Sequence, residues 1–267
     1  MVSHFSTIGF PVNSQEEFLE YAALVHDLGV KMQARKDTYV FWEVGAGIEL
    51  WGQMNARGEM MGMNPHFSGD AVTSVRLTGQ VEDSRDTSLD GRVYAEAEPR
   101  GEGEFAYPFV FDIPDIATHA ISYPVVAQVQ LAAFAHELQL FVDEEAYQQA
   151  QAAEEGPSFA TEFFIPSGSF AVEEGNVATS MGIFGGRVLA VNRVTNPHTG
   201  QDFYHARVKT LGGEFDVVAD PELVTQEIKV GSILSGSFWL TGKLIAPPTA
   251  KGSTKKKGIV SRLFGRK

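Results

Sequence analysis

The stretch from Gly186 to Ile245 constrains the fold most strongly. Short runs of β-branched and aromatic residues recur there between turn clusters, in the order strand, turn, strand, turn, strand, short acidic segment, strand. Such runs are too short and too regularly interrupted for helices, and their exposed edges are hidden most simply when the sheet curls and closes. A similar order can be traced from Val75 to Phe141. The expected fold is therefore mostly β: a small α+β module at the N-terminus followed by tandem small barrel modules whose strand order resembles an OB-fold. Fold likeness of this kind transfers no function.

Taken in order, the chain divides into an α+β module over 1–62, a barrel-like module over 70–142, a helical linker over 143–157, a second barrel-like module over 158–246 and a flexible basic tail over 247–267. Phe5 to Val12 reads as a strand. Ser14 and Glu17 have the spacing of a capping box, Phe18, Tyr21, Ala22, Val25 and Leu28 follow at helical spacing, and Gly29 suits a left-handed stop. Two strands, Tyr39 to Val44 and Ile48 to Trp51, flank Gly45-Ala46-Gly47, and Gly58 to Gly69 reads as a loop. Further strands are expected near 71–82, 91–98 and 105–113. Tyr123 to Val142, mostly apolar and without clean alternation, fits a long buried strand or, from Ala127 on, a helix, and strand is preferred by analogy with Gly231 to Ile245. Asp143 is placed as the cap of a polar helix ending at Gly156-Pro157. Phe159 to Val172 reads as a strand interrupted at Pro166, followed by strands near 181–195, 201–211, 214–219 and 231–245. Two likenesses suggest an internal repeat: Val81 and Tyr94 match Val191 and Tyr204 at an offset of 110, and Phe111-Asp112 matches Phe215-Asp216.

No catalytic, cofactor or metal signature stands out. With no cysteine, disulfides, thiolate nucleophiles and thiolate-bound zinc are excluded. His136-Glu137 begins like a helical zinc site, but Leu140 stands where the second ligand belongs. His198 and His205 would bind a metal with Asp202 only if they met across a hairpin, and a third arrangement would use His4, His66 and a carboxylate; surface or hairpin positions are the plainer expectation for all seven histidines. Asp83, Asp86 and Asp90 lack calcium-loop spacing. Gly182, Gly185 and Gly186 lack the Lys-Ser or Lys-Thr of a phosphate cradle, and Gly168-Ser169 and Gly236-Ser237 lack the second glycine of a nucleophile elbow. Phe203, Tyr204, Phe215, Phe238 and Trp239 would stack nucleic-acid bases if exposed beside a positive groove, for which Arg187, Arg193, Arg207 and Lys209 are the available cations. The expectation for most of these rings is core.

Charge separates the chain in two. Residues 251–267 hold seven basic residues and no acid, so residues 1–250 carry 14 basic against 34 acidic side chains, a net −20. The body should repel phosphate backbones and the tail should seek anionic surfaces. In the tail, Ile259, Val260, Leu263 and Phe264 fall on one face of a short helix, beside Lys255, Lys256, Lys257, Arg262, Arg266 and Lys267. This is the composition of an interfacial anchor. The run from Lys255 to Lys267 resembles the C-terminal membrane-targeting sequence of the Min-system cell-division ATPase, in which a Lys-Lys-Gly start leads into an Arg-Leu-Phe-Gly end. The resemblance covers about 13 residues and implies membrane attachment, not ATP binding, because the phosphate-binding loop of that family is missing. The expectation is a non-enzymatic cytoplasmic binding or scaffold protein with a protein partner, held reversibly at the inner membrane by these ten side chains and strengthened by any homo-oligomerisation. A single-stranded nucleic-acid binder is the alternative, disfavoured by the acidic body, and a metal-dependent enzyme stands third.

Overall fold

The structure, a computed structural model, describes residues 3–97, 107–153, 158–170 and 177–245. It is mostly β. A four-stranded antiparallel sheet is formed by β1 (Val30–Ala34), β2 (Asp37–Gly45), β3 (Ile48–Met54) and β4 (Met60–Phe67) in that order. Nine strands form the second sheet: β5 (Val72–Gln80), β6 (Arg92–Ala97), β7 (Tyr107–Asp112), β8 (Val125–Phe141), β9 (Phe163–Ile165), β10 (Met181–Thr195), β11 (Asp202–Thr210), β12 (Gly213–Ala219) and β13 (Ile233–Leu244). Helix α1 (Gln15–Leu28) lies on β2 and β3, and α2 (Glu144–Ala153) and α3 (Ser167–Phe170) fill connections. Among the described residues no helix is long and apolar enough to cross a membrane.

Local chemistry accounts for most boundaries. Ser14 accepts the amide of Glu17 and caps α1, while the Glu17 side chain reaches back to the amide of Asn13, one residue before the partner of a standard capping box. Asp143 accepts the amide of Ala146 and caps α2. Four expectations change. Gly29 is extended (φ −80°, ψ 156°), not left-handed; glycine is needed because a Cβ would stand 2.5 Å from the Val25 carbonyl oxygen and 2.6 Å from Val40. Phe5 to Val12 is a 3-10 turn over Ser6–Ile8, not a strand, and its carbonyls are taken by side chains: Asn196 donates to Ile8 and Thr199 to Gly9. Gly58 to Gly69 contains β4, not a loop, because β3 supplies a complete antiparallel partner and Met63 and Phe67 enter the core. The strand after Phe159 shrinks to β9, since the chain turns into α3 beyond Pro166.

The nine-stranded sheet closes twice. One ring runs β8, β5, β6, β7, β13 and back to β8; the other runs β8, β12, β11, β10, β13 and back to β8. Both share the β8–β13 ribbon, which pairs in antiparallel register from Ile233↔Phe141 to Leu244↔Val129. The segments 70–142 and 158–246 thus exchange their last strands: β13 closes the ring of β5–β7 through Thr241↔Asp112, and β8 closes the ring of β10–β12 through Asp216↔Ala132. Inward residues of the ribbon, among them Val129, Leu131, Ala133, Phe238 and Leu240, join both ring interiors in one core.

The registers reveal a pseudo-twofold. An offset of 109 carries the pair Val72↔Gln130 onto Met181↔Trp239, and carries Ala132 onto Thr241, which are themselves paired. Asp112 corresponds to Asp216, and each lies opposite an arginine, Arg92 or Arg207. The Phe-Asp likeness in the sequence therefore marks equivalent positions. The tyrosine likeness does not, because the registers put Arg92 rather than Tyr94 in step with β11.

Candidate functional site

The outward face of the ribbon is where the N-terminal sheet docks, burying Ala132, Phe134, Phe203 and Val218 with Ile48, Leu50, Met63 and Phe67. Two polar stations interrupt this apolar contact, and the pseudo-twofold relates them. At the first, the fully buried Asp216 accepts from the Ala71 amide at 2.7 Å, from Gln130 Nε2 at 2.9 Å and from His205 Nε2 at 2.8 Å. A carboxylate only accepts, so the Gln130 amide nitrogen must face it, which leaves Gln130 Oε1 to accept from His66 Nε2 at 2.9 Å. His66 then carries its proton on Nε2, and its Nδ1 accepts from the Thr241 hydroxyl at 2.8 Å. Burial pushes His66 below its ordinary value and keeps it neutral. Burial pushes the Asp216 carboxyl up, but the bonds from His205, the Ala71 amide and Gln130 outweigh it and the net shift is downward.

At the second station Asp112 accepts from Trp239 Nε1 at 2.8 Å, the counterpart of the Asp216–Gln130 bond. Burial pushes the Asp112 carboxyl up to about 6. The Trp239 indole stacks on His4, with ring centres 4.3 Å apart and planes within 9°. His4 Nε2 lies 2.6 Å from His136 Nε2. Burial, with His136 adding to it, lowers His4 to about 4, and burial also lowers His136. Each station thus ends on a histidine of the N-terminal module: His66 from β4 in one, His4 from the strap before α1 in the other. Beside the first station, Lys243, opposite Gln130 in the ribbon, pairs with the nearly buried Glu49 at 2.6 Å and lies over the Phe41 and Trp51 rings.

The residues singled out in the sequence fall mostly elsewhere. The ten tail side chains, Lys255 to Lys267, lie outside the described residues. His66 is buried rather than superficial, and it does not meet His4, since each is bonded within its own station. His198 packs against Phe10 and Trp42 while His205 reaches Asp216, and Asp202 instead holds Thr195 and Arg193. No three metal-ligating side chains among the described residues are placed to hold an ion. Asp83 and Asp86 are bound by Arg92, and Asp90 accepts from the Thr87 amide and Gln53. Phe203, Phe215 and Phe238 are fully buried, and the four cations near them each face a carboxylate: Arg187 with Glu144, Arg193 with Asp202, Arg207 with Glu214 and Lys209 with Glu162. Gln130 and Thr241 carried no sequence signal beyond lying in strands, and Asp112 carried only its likeness to Asp216.

No protein-family model matches the chain, and no curated protein and no solved structure matches it either.

Proposed function

We infer that the chain is a non-catalytic binding protein whose acidic β body recruits a protein partner and whose basic tail carries that body reversibly to an anionic membrane surface. The observation behind this reading is the charge division: a net −20 over residues 1–250 against seven bases and no acid in 251–267. The last described strand, β13, belongs to the acidic part and ends at Leu244, with Ile245 exposed. Each basic residue near an anionic leaflet contributes about 1 kcal/mol, and Ile259, Val260, Leu263 and Phe264 add a few more on partial insertion. Ordering of the tail and repulsion of the body oppose this, so one copy binds weakly and paired copies bind together. His4, His66, His136 and His205 are engaged in internal bonds and Arg92, Arg187 and Arg193 in ion pairs, which supports a recognition role for the body's shape and negative charge, suited to a basic or neutral partner.

Co-sedimentation with vesicles containing anionic lipid tests the tail. The full chain is expected in the pellet at low salt and in the supernatant at high salt, whereas a chain ending at residue 246 stays in the supernatant throughout. Equal partitioning of the two chains would remove the membrane arm of the proposal.

A further inference from the structure

The second station is unlike the first in one respect that bears on regulation: its groups change charge in mildly acidic solution, and one of them sits on a strap rather than in a sheet. The strap, residues 3–10, is held by Ile8 and Phe10, both fully buried, by the bonds from Asn196 and Thr199, and by His4 between Trp239 and His136. Two imidazole nitrogens 2.6 Å apart have room for one proton between them, and two N–H groups cannot point at each other across that distance. Full protonation of the pair therefore requires separation.

We propose that residues 3–10 form an acid-operated latch on the shared β8–β13 ribbon, closed while His4 and His136 share a single proton and released when both are charged, uncovering Trp239 and Phe134 as a new apolar surface.

The sign follows from linkage. A histidine held below its ordinary value in the closed state binds fewer protons there than in the open state. Its contribution to closure is therefore complete above pH 6.5 and is lost as pH falls toward 4. From those two values His4 alone weakens closure about 20-fold between pH 7 and pH 5, and His136 acts in the same direction. The groups facing the pair are Glu137 beside His136, which favours its charged form, and Asp112 beyond Trp239, itself influenced by Arg92 and Asp90. Asp112 opposes release: a carboxyl at about 6 takes up a proton over the same range, which favours closure about tenfold at pH 5 if opening uncovers it. The net effect is a rise in the open population on acidification, with Ile8 and Phe10 still favouring the closed form.

Hydrogen exchange of the full chain at pH 7.5 and pH 5, corrected for the intrinsic pH dependence of amide exchange, provides the test. The amides of Ile8, Gly9 and Phe10 bond to carbonyls within the strap and report on its closure. Their protection is expected to fall by roughly threefold to 30-fold at pH 5 while that of β3 is unchanged. His4→Phe, which keeps a ring against Trp239 but takes no proton, and independently His136→Gln, should each shrink the pH dependence. A strap whose protection does not change with pH, a fall of the same size in both variants, or a parallel loss in β3 would overturn the latch.

Discussion

At the scale of single residues, the best-determined feature is the carboxylate of Asp216, which has no exposed surface and three donors. Asp216→Ala leaves the Ala71 amide, Gln130 and His205 without an acceptor and is expected to cost about 3–5 kcal/mol in urea denaturation. Gly69 lies so close that an added Cβ would stand 2.2 Å from Asp216 Cγ, so Gly69→Ala should destabilise by about 1–3 kcal/mol through overpacking, measured in the same way. The pH dependence has a definite sign. His66, held neutral by burial, contributes stability that is complete above about 6.5 and declines below it, because the unfolded chain gains a proton that the folded chain refuses. Asp216, held below its ordinary 3.8, adds a second loss at lower pH. Stability should therefore fall as pH drops from 7 to 5, and replacing His66 with a residue that does not titrate should flatten that slope while lowering stability at pH 7.

Among the elements, the β8–β13 ribbon does most to organise the molecule. β8 pairs with β5, β12 and β13, and β13 pairs with β8, β10 and β7, so their amides are covered from both edges and on both faces. Hydrogen exchange should find its slowest amides in these two strands, near Leu131 to Phe134 and Phe238 to Gly242, and faster exchange in β1, an edge strand with Val30, Lys31 and Gln33 exposed. Slower exchange in β1 than in β8 would contradict this order. The ribbon was partly legible beforehand: the apolar run from Tyr123 to Val142 reads as a strand, and it is one. Its alternation fails because from Val129 to Ala135 both faces are covered, the odd positions by the barrel interiors and the even ones by the N-terminal sheet. A bulge at His136 then reverses the parity, so that Leu138 and Leu140 face the interior. β4 escaped detection for the opposite reason, since Gly62, Asn64 and Pro65 are poor strand formers that the β3 partner alone makes tolerable.

For the whole molecule, the exchange of last strands makes the two β-rich segments interdependent. A chain carrying a protease site at 154–157 and cut there should still elute as one species, because β8–β13, β12–β8 and β7–β13 pairings all cross the cut. Fragments that separate without denaturant would show that these pairings contribute little. The same interlock explains why a hairpin-by-hairpin reading finds two barrels but not their walls: each hairpin is a local object fixed by its turn residues, whereas the closing strand of each ring comes from the far half of the sequence.

The sequence by itself determined the strand-rich composition, most strand positions after residue 70, the capped helices α1 and α2, and the division of charge between body and tail, since each of these depends on neighbours within a few residues or on simple counts. Tertiary structure alone decided that Gln130, Trp239 and Thr241 face outward onto histidines of the N-terminal module, and that Asp112 and Asp216, alike in sequence, bond to opposite strands of the ribbon. Those relations depend on register, in which a shift of one residue exchanges inside for outside, and register is fixed only when distant strands meet.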